Sequence, residues 1–149
     1  TFEDLLDEII DTFQETSSKQ IFLIDDEDNN KLKLQRSPEL IYGFRNFIGN
    51  AVKFSRKIVE IRIYSDDVNL NVSINDDGPG FPEDIFEIIG EPYIKSKSKE
   101  ISPNSGTGLG TFLGKTLLER QLASLSFSKD KKLGGASVNI KWKIKDLKN

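Results

Sequence analysis

The sequence predicts an α+β fold in which one mixed, largely antiparallel sheet carries helices on one face. Segments that alternate like strands come in pairs, and segments with helical apolar spacing separate those pairs. The length of 149 residues suits a single domain over residues 1–149. Hydrophobic residues make up 36% of the chain, which is enough for one core.

Four segments show the spacing of helices. In the first, apolar residues recur every three or four positions from Phe2 to Phe13. The second begins at Ser37 and Pro38, since serine suits the N-cap and proline suits the first turn. The third follows one glycine-rich turn and the fourth begins in another. The predicted helices cover residues 2–13, 37–55, 82–89 and 106–122.

Six segments show the alternation or the short apolar runs of strands. The first two flank an acidic turn at 25–30, the middle two are joined at Asp66 and Asp67, and the last two are separated by residues 129–135. Such polar turn residues between apolar segments favour hairpin pairs. The predicted strands cover residues 21–24, 31–36, 58–64, 68–75, 124–128 and 136–144.

Residues 91–105 form a long polar segment between the third and fourth predicted helices. The segment has little apolar periodicity and is rich in lysine and serine, with Lys95 as its first lysine. Loops of this length inside a compact domain are typically lids or disordered segments. The lysine run fits either a solvated loop or a lid beside an anion.

Missing residue types limit the chemistry. The chain has no cysteine, which excludes thiolate nucleophiles, disulfides and cysteine-ligated zinc within it. It has no histidine, which excludes an imidazole base or a Ser-His-Asp triad. The net charge of -3 argues against bulk nucleic-acid binding. No apolar run approaches the roughly 18 residues of a membrane helix, so we expect no membrane contact by this chain.

The chain also lacks methionine and begins at Thr1, so we expect a fragment or a processed product.

The second predicted helix has two opposed faces. At about 100° per residue, Asn46, Asn50 and Lys53 fall on one side, flanked by Phe47 and Phe54. The opposite side carries Leu40, Ile41, Phe44, Ile48, Ala51, Val52 and Ser55. A solvated face usually prefers better helix formers than asparagine. Amide oxygens suit Mg²⁺ and an ammonium suits phosphate, so the polar side fits either a plain solvated surface or a magnesium-phosphate site.

Two glycine-rich turns have both structural and functional interpretations. Residues 76–80, with the sequence DDGPG, end a predicted strand and fit a tight turn. A buried carboxylate there could also accept a hydrogen bond from the amine of adenine, while the glycines allow close approach of the base. Residues 106–110, GTGLG, begin a helix and would offer free N–H groups to an anion.

Together these motifs resemble the ATP-binding catalytic domain of sensor histidine kinases, in the superfamily that includes gyrase B, Hsp90 and MutL. The matching segments are residues 46–55 (N box), 76–80 (G1 box), Phe86 with Pro92 and Tyr93 (F box), and 106–110 (G2 box). The resemblance spans residues 1–145 in the family's order. Residues 40–43 (LIYG) and 115–120 (KTLLER) also resemble the RegB/PrrB subgroup. The implied fold is a two-layer α/β sandwich, the Bergerat or GHKL fold, with an ATP lid at about 91–105.

The resemblance implies roles in binding ATP and Mg²⁺. Asn50 would coordinate Mg²⁺ through its side-chain oxygen, with Asn46 assisting, and Lys53 would contact phosphate. Asp76 would accept a hydrogen bond from the adenine amine, and Phe54 would flank the nucleotide. The other implied nucleotide-binding residues are Gly78, Gly80, Tyr93, Lys95, Gly106, Thr107, Gly108, Leu109 and Gly110.

Position 46 separates the subfamilies. Gyrase, Hsp90, MutL and the anti-sigma serine kinases place a glutamate base there, whereas the amide of Asn46 cannot take a proton at neutral pH. The resemblance therefore implies a protein-histidine kinase. A stand-alone ATPase or serine kinase of the same superfamily stays an alternative, as does a non-catalytic nucleotide-binding module.

The implied partners follow from the family. The phosphoryl acceptor would be a histidine in a separate helical dimerisation domain, and a response regulator would act downstream. Because this chain has no histidine, we expect no autophosphorylation by the isolated chain. The resemblance further implies a cytoplasmic domain of a parent that is usually membrane-bound, and a monomer when isolated.

Overall fold

The structure is a computed structural model that describes residues 2–25, 36–81 and 107–147. The helices in these ranges are α1 (Phe2–Gln14), α2 (Pro38–Phe54), α3 (Thr107–Arg120) and α4 (Ile144–Leu147). The strands are β1 (Gln20–Asp25), β2 (Ile58–Ser65), β3 (Asn69–Asp76), β4 (Ser124–Lys129) and β5 (Ala136–Lys143). Three predicted elements lie outside the described residues. They are the strand at 31–36, of which only Arg36 is described, the helix at 82–89 and the lid at 91–105.

The five strands form one sheet in the order β1-β2-β3-β5-β4. β1 runs parallel to β2, and the other three pairings are antiparallel. The parallel pair requires a crossover, which the stretch that contains α2 provides between β1 and β2. The predicted mixed, largely antiparallel sheet is confirmed.

One face of the sheet carries the core. The residues of β2, β3 and β5 that point to this face are Val59, Ile61, Ile63, Leu70, Val72, Ile74, Val138, Ile140 and Trp142, all of them buried. Helices α1 and α2 pack their apolar stripes against it. The ring of Phe44 on α2 lies 5.8 Å from that of Trp142, whose indole Nε1 donates to the carbonyl oxygen of Gln121 at 2.9 Å. The helical layer and the sheet thus form the two layers that were predicted.

The apolar stripe predicted on α2 is present, with one difference. Its buried members are Leu40, Phe44, Ile48, Ala51, Val52 and Ser55, and Ile41 packs against them from a half-buried position. Phe47, predicted on the flank of the polar side, is also buried, and its ring lies 5.9 Å from that of Phe127. The difference arises because α3 covers that flank, a tertiary contact that helical periodicity does not contain.

Helix α3 packs on α2 through two glycines, one from each helix. A Cβ atom at Gly43 would lie 2.6 Å from the side chain of Leu118. A Cβ atom at Gly114 would lie 3.1 Å from the ring of Phe47 and 3.2 Å from Cβ of Asn46. The two helices therefore approach closely, and the first half of α3 lies beside the polar side of α2.

The end of α3 and the short helix α4 differ from the sequence prediction. Helix α3 ends at Arg120 because the chain turns at Leu122, which has a φ of 73°. The amides of Leu122 and Ala123 donate to the carbonyl oxygens of Glu119 and Leu118, at 3.0 and 3.1 Å, as in a Schellman motif. The short helix α4 was not predicted. Among the helices of the described ranges, none combines the length and the apolar character that crossing a bilayer requires.

Candidate functional site

The two asparagines predicted to bind the cation lie on the side of α2 that faces α3. The amide Nδ2 of Asn50 donates to Oγ1 of Thr111 at 3.3 Å, and the amide Nδ2 of Asn46 donates to the carbonyl oxygen of Tyr42 at 2.9 Å. Both amide nitrogens are therefore bound by protein acceptors. Neither amide oxygen receives a hydrogen bond from the residues that the structure describes, so both can bind a ligand.

Lys53 and Phe54 lie in the last turn of α2, and both are exposed. The ammonium Nζ of Lys53 is 5.2 Å from the ring centroid of Phe54, within the range of a cation-π contact. Phe54 keeps 36% of its surface exposed, so its ring can contact a ligand. The ammonium predicted to contact phosphate and the ring predicted to flank the nucleotide thus sit side by side.

Lys19 stabilises this same end of α2, and sequence analysis missed it. Its Nζ donates to the carbonyl oxygens of Val52 at 2.6 Å and Lys53 at 3.1 Å. The last carbonyl groups of a helix have no partner within the helix, and a cation there also opposes the negative end of the dipole. Lys19 precedes Val52 by 33 positions, so no local pattern indicates the contact.

Asp76 ends β3 on the core face of the sheet and is 5% exposed. Its Oδ1 accepts hydrogen bonds from the amides of Gly78 at 2.8 Å and Ala136 at 3.2 Å. Burial raises the pKa of this carboxyl group, and the two amides oppose the rise without cancelling it. None of the described residues donates to Oδ2, so this oxygen can accept a hydrogen bond from a ligand.

Two glycines allow the backbone to close around Asp76. A Cβ atom at Gly78 would collide with the carbonyl oxygen of Phe54, so the turn after β3 touches the end of α2. A Cβ atom at Gly135 would collide with Oδ1 and the carbonyl oxygen of Asp76. Gly135 was not predicted as a site residue, because its partner lies on a distant strand.

Asp77 joins the same turn to the start of β2, a role that sequence analysis also missed. Its Oδ1 accepts from the amides of Arg56 at 2.7 Å, Lys57 at 3.1 Å and Ile58 at 3.2 Å. Burial raises the pKa of Asp77, but the amides of Lys57, Ile58 and Arg56 together outweigh it and leave that pKa lowered. The pKa values of the two adjacent carboxyl groups in the DDGPG turn are therefore shifted in opposite directions.

An aromatic row continues from this turn. Gly80 has a φ of +86°, a left-handed conformation that favours glycine. The next residue, Phe81, places its ring 5.7 Å from that of Phe127, edge to face. Phe127 in turn contacts Phe47 on α2. The row connects the turn after β3, strand β4 and helix α2.

The predicted phosphate-side residues are described only in part. The backbone of residues 107–110 forms the first turn of α3, whose N-terminal amides can bind an anion. This turn contains Thr107, Gly108, Leu109 and Gly110, of whose side chains the structure describes none. Tyr93, Lys95 and Gly106 lie outside the described residues.

Among the residues that the structure describes, the candidate cation ligands are amides rather than a carboxylate cluster. In the described ranges, no group of three or more histidine, cysteine, aspartate or glutamate residues could hold a metal ion. The amide oxygens of Asn46 and Asn50 are hard, neutral donors. Such a set fits Mg²⁺, which binds through few protein ligands and completes its shell with phosphates and water.

Comparison with known proteins identifies the family. The family model described as histidine kinase-, DNA gyrase B-, and HSP90-like ATPase matches residues 36–146, which include α2, the DDGPG turn and α3. The chain belongs to this ATPase family. The resemblance predicted from the four boxes is thereby confirmed.

Members of this ATPase family that resemble the chain include sensor histidine kinases. The sensor histidine kinase RegB of Cereibacter sphaeroides is 41% identical over 106 residues, which are 68% of this chain and 23% of RegB. The chain thus matches about a quarter of this relative's length. The predicted likeness to RegB is also confirmed.

Solved structures show the same fold. The catalytic domain of the histidine kinase ThkA gives a TM-score of 0.74 at 17% identity, covering 95% of this chain and 93% of that one. Full-length ShkA in complex with AMPPNP gives 0.69 at 22% identity, covering 95% of this chain and 30% of that one. The predicted two-layer architecture agrees with both.

Proposed function

We propose that the chain is the ATP-binding catalytic domain of a sensor histidine kinase that acts in two-component signal transduction. It binds ATP with Mg²⁺ and delivers the γ-phosphoryl group to a histidine of a separate helical dimerisation domain. The likeness to RegB supports this function, and so does the structure of ShkA in complex with AMPPNP, an ATP analogue.

The observation that carries the proposal is that the polar side of α2 lies between the first half of α3 and the DDGPG turn, the two segments proposed to bind the nucleotide. Asn50 contacts the first half of α3, and Phe54 contacts the turn that begins at Asp76. A nucleotide with its adenine at Asp76 and its phosphates at the N-terminus of α3 would pass the amide oxygens of Asn46 and Asn50.

Each of these groups has a proposed task. Oδ2 of Asp76 accepts a hydrogen bond from the adenine amine. Guanine carries a carbonyl at that position, and the carboxylate of Asp76 repels it. The ring of Phe54 flanks the nucleotide and the ammonium of Lys53 contacts phosphate. Bound Mg²⁺ supplies charge neutralisation at the phosphates, and the neutral amides of Asn46 and Asn50 leave its charge available for that purpose.

The amide at position 46 favours a histidine kinase over a stand-alone ATPase or serine kinase. A water or hydroxyl nucleophile needs a base, and an amide cannot take a proton at neutral pH. A histidine acceptor is itself the nucleophile, so the chain needs only to position and neutralise the γ-phosphoryl group.

We place the domain in the cytoplasm, where ATP is available, with a response regulator as the downstream partner. We also propose that the isolated chain is monomeric, because the helical domain would provide dimerisation.

Calorimetry with ATP, in Mg²⁺ and in EDTA, tests the binding step. We expect Mg²⁺ to strengthen binding, and Asn50→Ala to remove that gain because it removes the amide oxygen. Asn71→Ala on β3 is the matched control, since Asn71 alternates with the core residues Leu70 and Val72 and therefore lies on the sheet face opposite to α2. A chain that binds no ATP, or an Asn50→Ala variant with an unchanged Mg²⁺ dependence, would contradict the proposal.

Phosphotransfer tests the reaction class. The chain is mixed with the histidine-containing helical domain of its own parent and with γ-labelled ATP. We expect label on the helical domain that is acid-labile and base-stable. Steady ATP turnover without that domain, abolished by Asn46→Ala, would instead support the ATPase alternative.

A further inference from the structure

The side chain of Thr111 is fully buried and contacts the proposed cation ligand. Thr111 directly follows the GTGLG segment, and none of its surface is exposed. Its Oγ1 receives the hydrogen bond from Nδ2 of Asn50 at 3.3 Å. Sequence analysis gave this residue no role.

An amide has a donor end and an acceptor end, so its orientation decides what it offers to a ligand. The end that faces Thr111 is the amine of Asn50, which directs the carbonyl oxygen away from Thr111. A helical threonine can send its own proton to a carbonyl of the preceding turn, as Thr116 does to Phe112 at 3.0 Å in the same helix. A hydroxyl that donates in this way still has lone pairs on its oxygen, so Oγ1 of Thr111 can accept from the amide of Asn50.

The packing of the helices holds Thr111 at this position. Gly114, three residues after Thr111, faces Asn46 and Phe47 of α2. Leu118, seven residues after Thr111, packs against Gly43. These contacts fix the distance between α3 and α2 along the polar side. The partner of the Asn50 amide is therefore part of a closely packed interface between the two helices.

We propose that Thr111 is a positioning residue for the cation: by accepting the amide proton of Asn50, it turns the Asn50 carbonyl oxygen toward the phosphate-bound Mg²⁺. The inference rests on the proposed function, because it needs Asn50 as a magnesium ligand. Groups that hydrogen-bond to a metal ligand and fix its orientation affect metal affinity even though they do not touch the metal.

The test is a pair of substitutions at position 111. Thr111→Val keeps the shape and removes the acceptor, so the Asn50 amide is free to rotate and present its amine to the cation. Thr111→Ser keeps the hydroxyl. Titration of ATP in Mg²⁺ and in EDTA gives the Mg²⁺-dependent gain in affinity. We expect Thr111→Val to reduce that gain by about tenfold and Thr111→Ser to keep it.

Two controls separate positioning from a general packing effect. Thr116→Val removes a hydroxyl from the same helix and should leave the gain unchanged. In an Asn50→Asp background, a carboxylate offers an oxygen in either orientation, so Thr111→Val should no longer change the gain. If Thr111→Val does not fold, Thr111→Cys replaces it, since a thiol is only a weak acceptor.

The outcomes distinguish this inference from the proposed function. A wild-type chain without any Mg²⁺-dependent gain would contradict the proposed function. A wild-type gain that Thr111→Val leaves unchanged would contradict the positioning role alone. An increased gain in Thr111→Val would also overturn it, because Thr111 would then be donating to the amide oxygen and competing with the cation.

Discussion

At the scale of single residues, the two carboxylates of the DDGPG turn have opposite effects on folding stability. Asp76 is buried, and its pKa is raised, whereas Asp77 is surrounded by amides, and its pKa is lowered. Ionised Asp76 therefore opposes folding and ionised Asp77 favours it. We infer that Asp76 serves the ligand at a cost in stability, and that Asp77 holds the turn.

This contrast predicts opposite effects on the free energy of unfolding. The raised pKa means that Asp76 favours folding below the ordinary aspartate pKa and loses this contribution as pH rises through its folded pKa. The lowered pKa means that Asp77 contributes above the ordinary value and loses its contribution as pH falls through its own folded pKa. At pH 7, Asp76→Asn should be at least as stable as the wild type and Asp77→Asn less stable.

Urea denaturation of both variants between about pH 3 and pH 7 measures this difference. Both differences from the wild type should shrink toward acid pH, where the two carboxyl groups become neutral. A loss of stability in Asp76→Asn that is largest at neutral pH would contradict the assignment.

Asp76→Asn should also weaken ATP binding. The amide can direct its amine toward the adenine amine, which places two donors face to face and loses a charge-assisted hydrogen bond worth about 1.5 kcal/mol or more, roughly tenfold in affinity. Asp67→Asn, in the exposed turn between β2 and β3, is the matched control. Unchanged ATP affinity in calorimetry would rule out Asp76 as the adenine acceptor.

At the scale of elements, the turn that ends α3 combines backbone strain at Leu122 with hydrogen bonds to the last turn of the helix. Leu122 occupies the left-handed position that follows the helix, is 59% exposed, and has a φ of 73°. This conformation costs a non-glycine residue roughly 1–2 kcal/mol. The hydrogen bonds of Leu122 and Ala123 to the last turn hold it there.

Leu122→Gly should therefore stabilise the chain. Relief of the backbone strain exceeds the added flexibility of the unfolded chain, so we expect the free energy of unfolding to rise by roughly 0.5–1 kcal/mol. Leu113→Gly is the control, because Leu113 is similarly exposed but lies inside α3, where glycine destabilises a helix. Equal losses of stability in both variants would contradict this explanation of the turn.

At the scale of the whole molecule, the absence of histidine limits what the chain can do alone. Incubation of the chain with γ-labelled ATP and Mg²⁺ should give no acid-labile, base-stable label, because no residue of the chain can form phosphohistidine. The same incubation with the helical domain is the positive control. Such a label on the chain by itself would show that the acceptor chemistry differs from the proposal.

Much of the fold and part of the site followed from local sequence patterns. Apart from the short helix α4, the described helices and strands begin and end close to their predicted positions, since apolar periodicity, the Ser37 cap and turn residues act over a few neighbouring positions. The two faces of α2 and the turn at Asp76 were predicted for the same reason. Periodicity placed Phe47 on a polar flank, because it describes one helix without its neighbours.

The sequence by itself was enough to predict the family, the α+β fold and most of the helices and strands that the structure describes, because these depend on short motifs and local spacing. The proposal of which residues face the nucleotide rests on the same motifs. Only the tertiary structure decided which groups support them. Thr111 meets Asn50 across 61 positions, Lys19 meets Val52 across 33, and Ala136 meets Asp76 across 60. Such contacts form only when distant segments pack, so the residues that orient the site are defined by the fold rather than by any motif.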